Sequence, residues 1–327
     1  MKRQLNFFLA LLFVSISFAL GAQSYYETPE NPAIKSTILE DGLSFIVIGD
    51  WGRNGEFHQK PVAREMNIAS KTLDAEFVVS VGDNFYPVGV QSTMDPQWKQ
   101  SFEDIYSQHD LNKPWLIALG NHDYGGSVQA QIDYSNVSRR WELPAPYYTK
   151  TFEMEDGSGE ALFIVIDTNP FIKKYHSYPG IHGEQIRAQD TKAQLAWLEK
   201  VLQDRGPKVR WTVVVGHHPM YSGGKRKQAE ETEEIRAIFE PLFSKHKVDV
   251  YLTGHEHDLQ IIQPKGKHTV QYLSGAASEI RPAGEREGTK FAVSDGGFMG
   301  MTLTKDVLRT LVVNGEGKVL FQYDQKK

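Results

Sequence analysis

The sequence of 327 residues predicts an α/β protein in which helices cover two β-sheets that pack together. Two observations carry this prediction. Short apolar runs rich in β-branched residues alternate with helix-like stretches through the first two thirds of the chain. From Leu259 onward, strand-like runs separated by Gly and Asp turns dominate. No linker, low-complexity tract or internal repeat interrupts residues 23–327, so we expect them to form a single domain.

The strands of the alternating part are short and bounded by Gly, Asp or Asn, as buried strands tend to be. They are predicted over Leu43–Ile48, Phe77–Val81, Trp115–Leu119, Leu162–Ile166, Thr212–Val215 and Val248–Leu252. Helices are predicted over Lys60–Leu73, Pro96–Gln108, Thr191–Gln203 and Ala229–His246. The later strands are predicted over Gln260–Gln263, Thr269–Ser274, Phe298–Thr304, Thr310–Asn314 and Val319–Tyr323.

Residues 1–22 predict a secretory signal peptide. Lys2 and Arg3 precede an apolar run over Leu5–Leu20, and the small residues Gly21 and Ala22 follow it. The run is short for a membrane span, although an uncleaved anchor is the alternative. We therefore expect a secreted or periplasmic protein that has no stable membrane association once the leader is cleaved.

Composition narrows the class of protein further. With 40% hydrophobic and 24% charged residues the chain is typical of a soluble globular protein. The formal net charge of −5 argues against a nucleic-acid-coating protein, because phosphate contacts need clustered basic residues. The basic run Lys225–Lys227 is followed at once by Glu230, Glu231, Glu233 and Glu234, and we interpret this mixed stretch as a solvated loop and helix face. Zero cysteines exclude disulfides.

Polar motifs follow five of the predicted strands. They are Gly49-Asp50-Trp51-Gly52, Gly82-Asp83-Asn84-Phe85-Tyr86, Gly120-Asn121-His122-Asp123, Gly216-His217-His218-Pro219 and Gly254-His255-Glu256-His257-Asp258. A single Asp after a strand is usually a turn residue or a helix cap. Five such motifs, each at the edge of a sheet where ligands bind in α/β folds, point instead to one site. Asp, Tyr, Asn and His are the ligands of hard or borderline metals.

In this order the five motifs resemble those of the metallophosphoesterases, and within them the purple or tartrate-resistant acid phosphatases of the small mammalian type. Phe102-Glu103-Asp104, Arg140–Pro144 and Ser294–Phe298 also resemble linking segments of these enzymes, so the resemblance runs from about Leu43 to the end. It implies a four-layer αββα sandwich of two mixed sheets flanked by helices, and one catalytic domain. It also implies a hydrolase that acts on small phosphate monoesters or phosphorylated peptides and proteins, with no nucleic acid as a structural partner.

The resemblance further implies the role of each site residue. Asp50, Tyr86 and His257 would hold Fe(III), whereas Asn121, His217 and His255 would hold a divalent Fe, Zn or Mn ion. Asp83 would bridge the two ions. His122 would be catalytic without being a ligand, and a metal-bound hydroxide would attack the phosphorus.

The residues themselves support iron. Many metallophosphoesterases carry a His ligand where this chain has Gly52, and Tyr86 offers a replacement. Phenolate is a hard anionic donor that favours a trivalent ion.

Three further interpretations remain open at this stage. A phosphodiesterase or nucleotide hydrolase on the same scaffold, and less plausibly an inactive metal-binding relative, are the alternative functions. His218 is expected to pack under the site, because it directly follows a ligand. The segment 169–190 is expected to be an exposed loop with His176 and His182 on the surface, and the resemblance implies that this loop lies over the active site.

Overall fold

The computed structural model describes residues 28–327, so the predicted leader lies outside the described residues. Within them, the strands are β1 (Leu43–Ile48), β2 (Phe77–Ser80), β3 (Trp115–Ile117), β4 (Trp141–Glu142), β5 (Tyr148–Glu153), β6 (Glu160–Val165), β7 (Val209–Val215), β8 (Val250–Thr253), β9 (Leu259–Ile262), β10 (Val270–Ser274), β11 (Thr289–Val293), β12 (Gly297–Leu303), β13 (Val307–Asn314) and β14 (Val319–Lys326). The α-helices are α1 (Pro32–Lys35), α2 (Gln59–Leu73), α3 (Val128–Tyr134), α4 (Gly180–Arg187), α5 (Thr191–Gln203) and α6 (Glu230–His246).

The strands form two mixed sheets of seven strands each. One sheet has the order β14-β13-β12-β1-β2-β3-β4, and the other has the order β11-β9-β10-β8-β7-β6-β5. Strands β1 to β4 are parallel, as are β6, β7, β8 and β10. Because parallel strands end at the same edge, the loops after β1, β2 and β3 emerge together, and so do those after β7 and β8.

Aromatic side chains join the two sheets. Phe45 of β1 stacks on Phe77 of β2 with ring centroids 5.2 Å apart, and Phe163 of β6 packs edge-on against both rings. Near the loop-bearing edge, the Ser274 hydroxyl of β10 donates to the Val47 carbonyl of β1 at 2.9 Å. These contacts fix the position of one sheet relative to the other, and so align the two sets of loops.

Helices cover the outer faces. Helix α2 packs on the first sheet, where Leu73 lies so close to Gly300 of β12 that a Cβ there would meet its Cδ1 at 2.7 Å. On the other sheet, Phe243 of α6 packs against Tyr251 of β8 at 5.5 Å between ring centroids. With helices on the outer faces of both sheets, the predicted αββα layering is confirmed.

In residues 28–327 none of the helices combines the length and the apolar character that crossing a membrane requires.

The structure corrects several of the predicted elements, and the short helices α1 and α3 were not predicted. Strands β4, β5 and β11 were missed; each lies at the edge of its sheet, where a strand is buried on fewer sides and its apolar pattern is weak. The helix predicted over Pro96–Gln108 is wrong in type. A π-helix over Trp98–Glu103 replaces it, because Trp98 and Phe102 are drawn into an aromatic cluster around Trp141.

Candidate metal centre

The five motif loops meet between the sheets, and three of their non-glycine residues have a left-handed backbone. The φ angles are +57° for Asp50, +53° for Asp83 and +71° for His255. Such angles are uncommon outside glycine and cluster at functional sites. Contacts between loops hold these conformations: the Asp50 amide donates to the Gly82 carbonyl at 3.0 Å, and the His255 amide donates to Asp50 Oδ2 at 2.9 Å.

The Tyr86 hydroxyl oxygen and three atoms around it form a first group of four potential metal-ligand atoms. The Tyr86 oxygen lies 2.7 Å from Asp83 Oδ2, 3.1 Å from Asp50 Oδ1 and 3.3 Å from His257 Nε2. His257 Nε2 lies 3.4 Å from Asp50 Oδ1. All four side chains are buried, at most 3% exposed. This cluster, which we call the tyrosine cluster, consists mainly of hard oxygen donors.

His217 Nε2 and three atoms around it form a second group of four potential metal-ligand atoms. This nitrogen lies 3.1 Å from His255 Nδ1, 3.3 Å from Asn121 Oδ1 and 3.4 Å from Asp83 Oδ1. We call it the histidine cluster. Asp83 therefore gives one carboxylate oxygen to each cluster, as expected of a residue that bridges two ions.

The geometry of both clusters fits metal ions. Two ligand atoms that each lie about 2.0–2.2 Å from one ion are themselves roughly 3 Å apart, which is the spacing found here. The phenol and carboxylates of the tyrosine cluster suit a hard trivalent ion, and the imidazole nitrogens and amide oxygen of the histidine cluster suit a borderline divalent ion.

Hydrogen bonds to the outer ring nitrogens orient the two imidazoles of the histidine cluster. His217 Nδ1 donates to the Val81 carbonyl at 2.8 Å, and His255 Nε2 donates to Glu231 Oε1 at 3.0 Å. With one proton held on each outer nitrogen, the inner nitrogens are the ones that can present lone pairs to an ion, once His217 has given up its second proton.

The pKa values of the cluster residues reflect crowded, buried acids. Burial raises the pKa of Asp50 to about 8. Burial and the carboxylates of Asp50 and Asp83 raise the pKa of Tyr86 well above its ordinary value. Burial acts to lower the pKa of His217, but the Asp83 carboxylate outweighs it and raises that pKa to about 9. Protons thus compensate the buried negative charge, a task that a cation would perform equally well.

Glycines give the loops room to approach one another. A Cβ on Gly120 would lie 2.2 Å from Asp83 Oδ1, so a larger residue would displace the shared carboxylate. A Cβ on Gly52 would lie 1.8 Å from the Asn84 carbonyl oxygen. This backbone therefore has no room for a His side chain at position 52.

His122 lies beside the clusters without joining their donor atoms. Its Nδ1 donates to the Pro87 carbonyl at 2.6 Å, its backbone amide donates to Asp83 Oδ1 at 2.8 Å, and its ring packs 4.4 Å from the Tyr86 ring. Asn121 and His122 are half-buried whereas the other site residues are buried, so the open side of the site is here.

His218 is a packing residue, as expected. Ligand-type atoms of His217, His218 and His255 lie within 4.8 Å of one another. However, His218 Nδ1 pairs with the Thr168 hydroxyl at 2.8 Å and Nε2 with the Tyr175 hydroxyl at 2.9 Å. Both nitrogens are occupied, so the ring supports the site from behind.

The segment 169–190 is largely exposed from residue 173 onward, as predicted, but it is not an irregular loop. It contains the 3₁₀ helices Asn169–Phe171 and Lys173–Ser177 followed by α4. Phe171, Tyr175 and Ile186 are buried and anchor it, although they are too widely spaced to give a periodic signal. His176 is exposed as expected, whereas His182 is half-buried among the rings of Tyr124, Tyr175 and Tyr178.

Sequence reasoning missed the residues behind the ligands. The Arg53 guanidinium lies 3.8 Å over the Tyr86 ring and pairs with Glu279 at 2.7 Å. Arg226 and Glu231, which we had assigned to a solvated face, are largely buried beside His255. No local pattern separates these two residues from their charged neighbours in the sequence.

Comparison with known proteins identifies the class. The model of the family described as calcineurin-like phosphoesterase matches residues 43–259. Among solved structures, GAP50, the anchor in the inner membrane complex of Plasmodium, has a TM-score of 0.76 at 25% identity, covering 88% of this chain and 89% of that chain. Purple acid phosphatase PPD1 from yellow lupin seeds has a TM-score of 0.62 at 17% identity, covering 88% and 54%, which shows a shared fold.

The fold and the two linked donor clusters are those of a metal-dependent phosphoesterase, and the chain belongs to the calcineurin-like phosphoesterase family. Its relatives include the purple acid phosphatases. Purple acid phosphatase 7 of Arabidopsis thaliana is 34% identical over 100% of this chain and 98% of the plant protein. Tartrate-resistant acid phosphatase type 5 of Oryctolagus cuniculus is 34% identical over 86% of this chain and 90% of the rabbit protein. The expected family and the expected class of enzyme, a phosphoester hydrolase, are thereby confirmed.

Proposed function

We propose that this protein is a secreted acid phosphatase that hydrolyses phosphate monoesters at a dinuclear centre of Fe(III) and a divalent Fe, Zn or Mn ion. The observation that carries the proposal is the pair of four-atom donor clusters that share Asp83, with a buried tyrosine hydroxyl in one of them. The phosphatase names of its relatives support the reaction. Residues 1–22 support export.

Each cluster would hold one ion. Asp50, Tyr86 and His257 would hold Fe(III), and Asn121, His217 and His255 would hold the divalent ion. When bound, such a pair of ions binds phosphoryl oxygens and lowers the pKa of water, which is the chemistry that phosphoester hydrolysis requires. A trivalent and a divalent ion facing two carboxylates and one phenolate leave a net positive site in an acidic protein, so a phosphate dianion is attracted.

The residues of the chain orient the substrate and handle its charge. His122 Nδ1 is fixed on the Pro87 carbonyl, which leaves Nε2 as the ring nitrogen that would meet a substrate. From there the imidazole can donate to a phosphoryl oxygen or protonate the departing alcohol. In the small enzymes that this chain resembles, a further His lies a few residues beyond the motif that corresponds to Gly216–Pro219. Residues 220–225 contain none here, so His122 carries this task.

The alternative functions share the ligands and differ elsewhere. A phosphodiesterase or nucleotide hydrolase would use the same ions with a different pocket rim. An inactive relative is disfavoured, because all seven expected positions carry a metal-binding side chain that reaches one of the clusters.

Metal analysis combined with a paired activity assay tests the proposal. We expect one iron and one divalent ion per chain, and turnover of p-nitrophenyl phosphate well above that of bis-p-nitrophenyl phosphate between pH 4 and 8. Asp83→Ala should abolish both metal retention and turnover and serves as the background control. Preference for the diester, or purification with two zinc ions and no iron, would contradict the proposal.

A further inference from the structure

Glu231 contacts a predicted metal ligand from outside. It stands in the first turn of α6, and its Oε1 accepts a hydrogen bond from His255 Nε2 at 3.0 Å. The opposite nitrogen of the same ring, His255 Nδ1, belongs to the histidine cluster. The side chain of Glu231 is 6% exposed and that of His255 is 4% exposed, so water does not compete for this bond.

Two cations hold the Glu231 carboxylate in place. Arg226 Nε donates to Oε1 at 2.6 Å, and the Lys174 ammonium pairs with Oε2. Arg226 is itself fixed, because its Nη1 donates to the His255 carbonyl at 3.0 Å. The carboxylate is therefore charged and oriented by partners from two other segments of the chain.

We propose that Glu231 is a positioning residue for the divalent ion: it keeps the proton of His255 on Nε2 and aims the Nδ1 lone pair into the histidine cluster. This inference rests on the proposed dinuclear centre. A carboxylate on the outer nitrogen of a ligating histidine fixes the ring and raises the basicity of the inner nitrogen. Glu231 does not contact substrate in this arrangement, so it acts through His255 alone.

The same helix provides a matched control. Glu234 lies three residues further along α6, is 10% exposed, and pairs with Lys173 at 3.3 Å. Like Glu231, it pairs with a lysine of the segment 173–174. Within residues 28–327, however, its partner is Lys173 and not a member of either cluster. If Glu231 acted only through its ion pair with a lysine, Zn²⁺ binding should respond alike to replacement at the two positions.

The test is the affinity of the full mature chain for Zn²⁺, measured by competition with a chromophoric chelator on iron-loaded protein. Glu231→Ala is expected to weaken Zn²⁺ binding 10–100-fold, the usual effect of losing such an outer partner. Glu234→Ala is expected to bind Zn²⁺ as the wild type does. Iron content and visible absorption should remain unchanged in both variants, because the tyrosine cluster does not include His255.

Melting of the metal-free proteins separates positioning from stability. Because Glu231 has more buried partners than Glu234, its Ala variant should have the lower Tm without metal. Each variant is therefore compared with its own metal-free form, and we expect a smaller Zn²⁺-induced rise in Tm for Glu231→Ala alone. Zn²⁺ affinities of the two Ala variants within twofold of each other would overturn the inference. If Glu231→Ala does not fold, the Zn²⁺ affinities of Glu231→Gln and Glu234→Gln are compared instead. Binding about tenfold weaker in Glu231→Gln supports the inference, and equal binding overturns it. Equal Zn²⁺ affinities of the wild type and of Asp83→Ala would instead refute the proposed centre.

Discussion

The replacement of Tyr86 by Phe removes one oxygen and leaves the ring packed between Arg53 and His122. In the metal-free protein the lost hydroxyl donates to Asp83 Oδ2 at 2.7 Å in a site that is 3% exposed. A hydrogen bond to a charged group contributes roughly 1.5–3 kcal/mol, so the free energy of unfolding of the metal-free variant should fall by about that amount. In the iron-loaded protein the replacement should remove the visible absorption band. Phenolate bound to Fe(III) absorbs visible light by charge transfer, whereas an uncoordinated phenol absorbs only in the ultraviolet.

Urea unfolding of the metal-free proteins and visible spectra of the iron-loaded proteins measure the two effects. Wild-type protein should be pink or purple, and Tyr86→Phe should be colourless at equal iron content. Tyr175→Phe is the control, because the Tyr175 hydroxyl is also buried but pairs with His218 and not with a cluster residue. A visible band of full intensity in iron-bound Tyr86→Phe would refute the assignment of Tyr86 as the iron ligand.

Three other predictions follow from the same structure. His122→Ala should lower turnover roughly 10²–10⁴-fold with both metals retained, and loss of a metal would make His122 a ligand. Export should leave an N-terminus near Ala22 or Gln23 by intact mass, and a secreted form that starts at Met1 would contradict this. Cleavage in the exposed stretch 178–181 should raise turnover of the monoester, because it releases α4, whose Gln185 donates to the backbone carbonyls of Tyr124 and Gly126 next to His122; unchanged turnover after a verified cut would refute this.

The central strands of the fold could be predicted from sequence because their patterns are local. Strands such as β1 and β8 are buried on every side and therefore read as continuous apolar runs ended by Gly. The edge strand β5 alternates between buried and exposed residues, and its sequence YTKTFE carries no comparable run. The stretch around Trp98 depends on contacts with Trp141, far away in sequence, which no local pattern reports.

The same distinction applies to the site. The residues predicted as metal ligands stand in short motifs at strand ends, and the fold brings them into two clusters because neighbouring strands are parallel. Glu231 could not be singled out, since it is one of four glutamates within five residues of the chain. Only the tertiary placement of α6 decides that this glutamate meets His255 while Glu234 meets a lysine.

Asp83 divides its carboxylate between the two clusters, and this makes their metal affinities interdependent. An ion in the tyrosine cluster would hold Oδ2 and thereby help to fix Oδ1, which lies 3.4 Å from His217 Nε2, for a second ion. Orienting this group costs conformational entropy only once, so whichever ion arrives second benefits from the ordering that the first has already accomplished. By thermodynamic linkage the benefit is mutual, and chelation of either ion must loosen the other by the same factor.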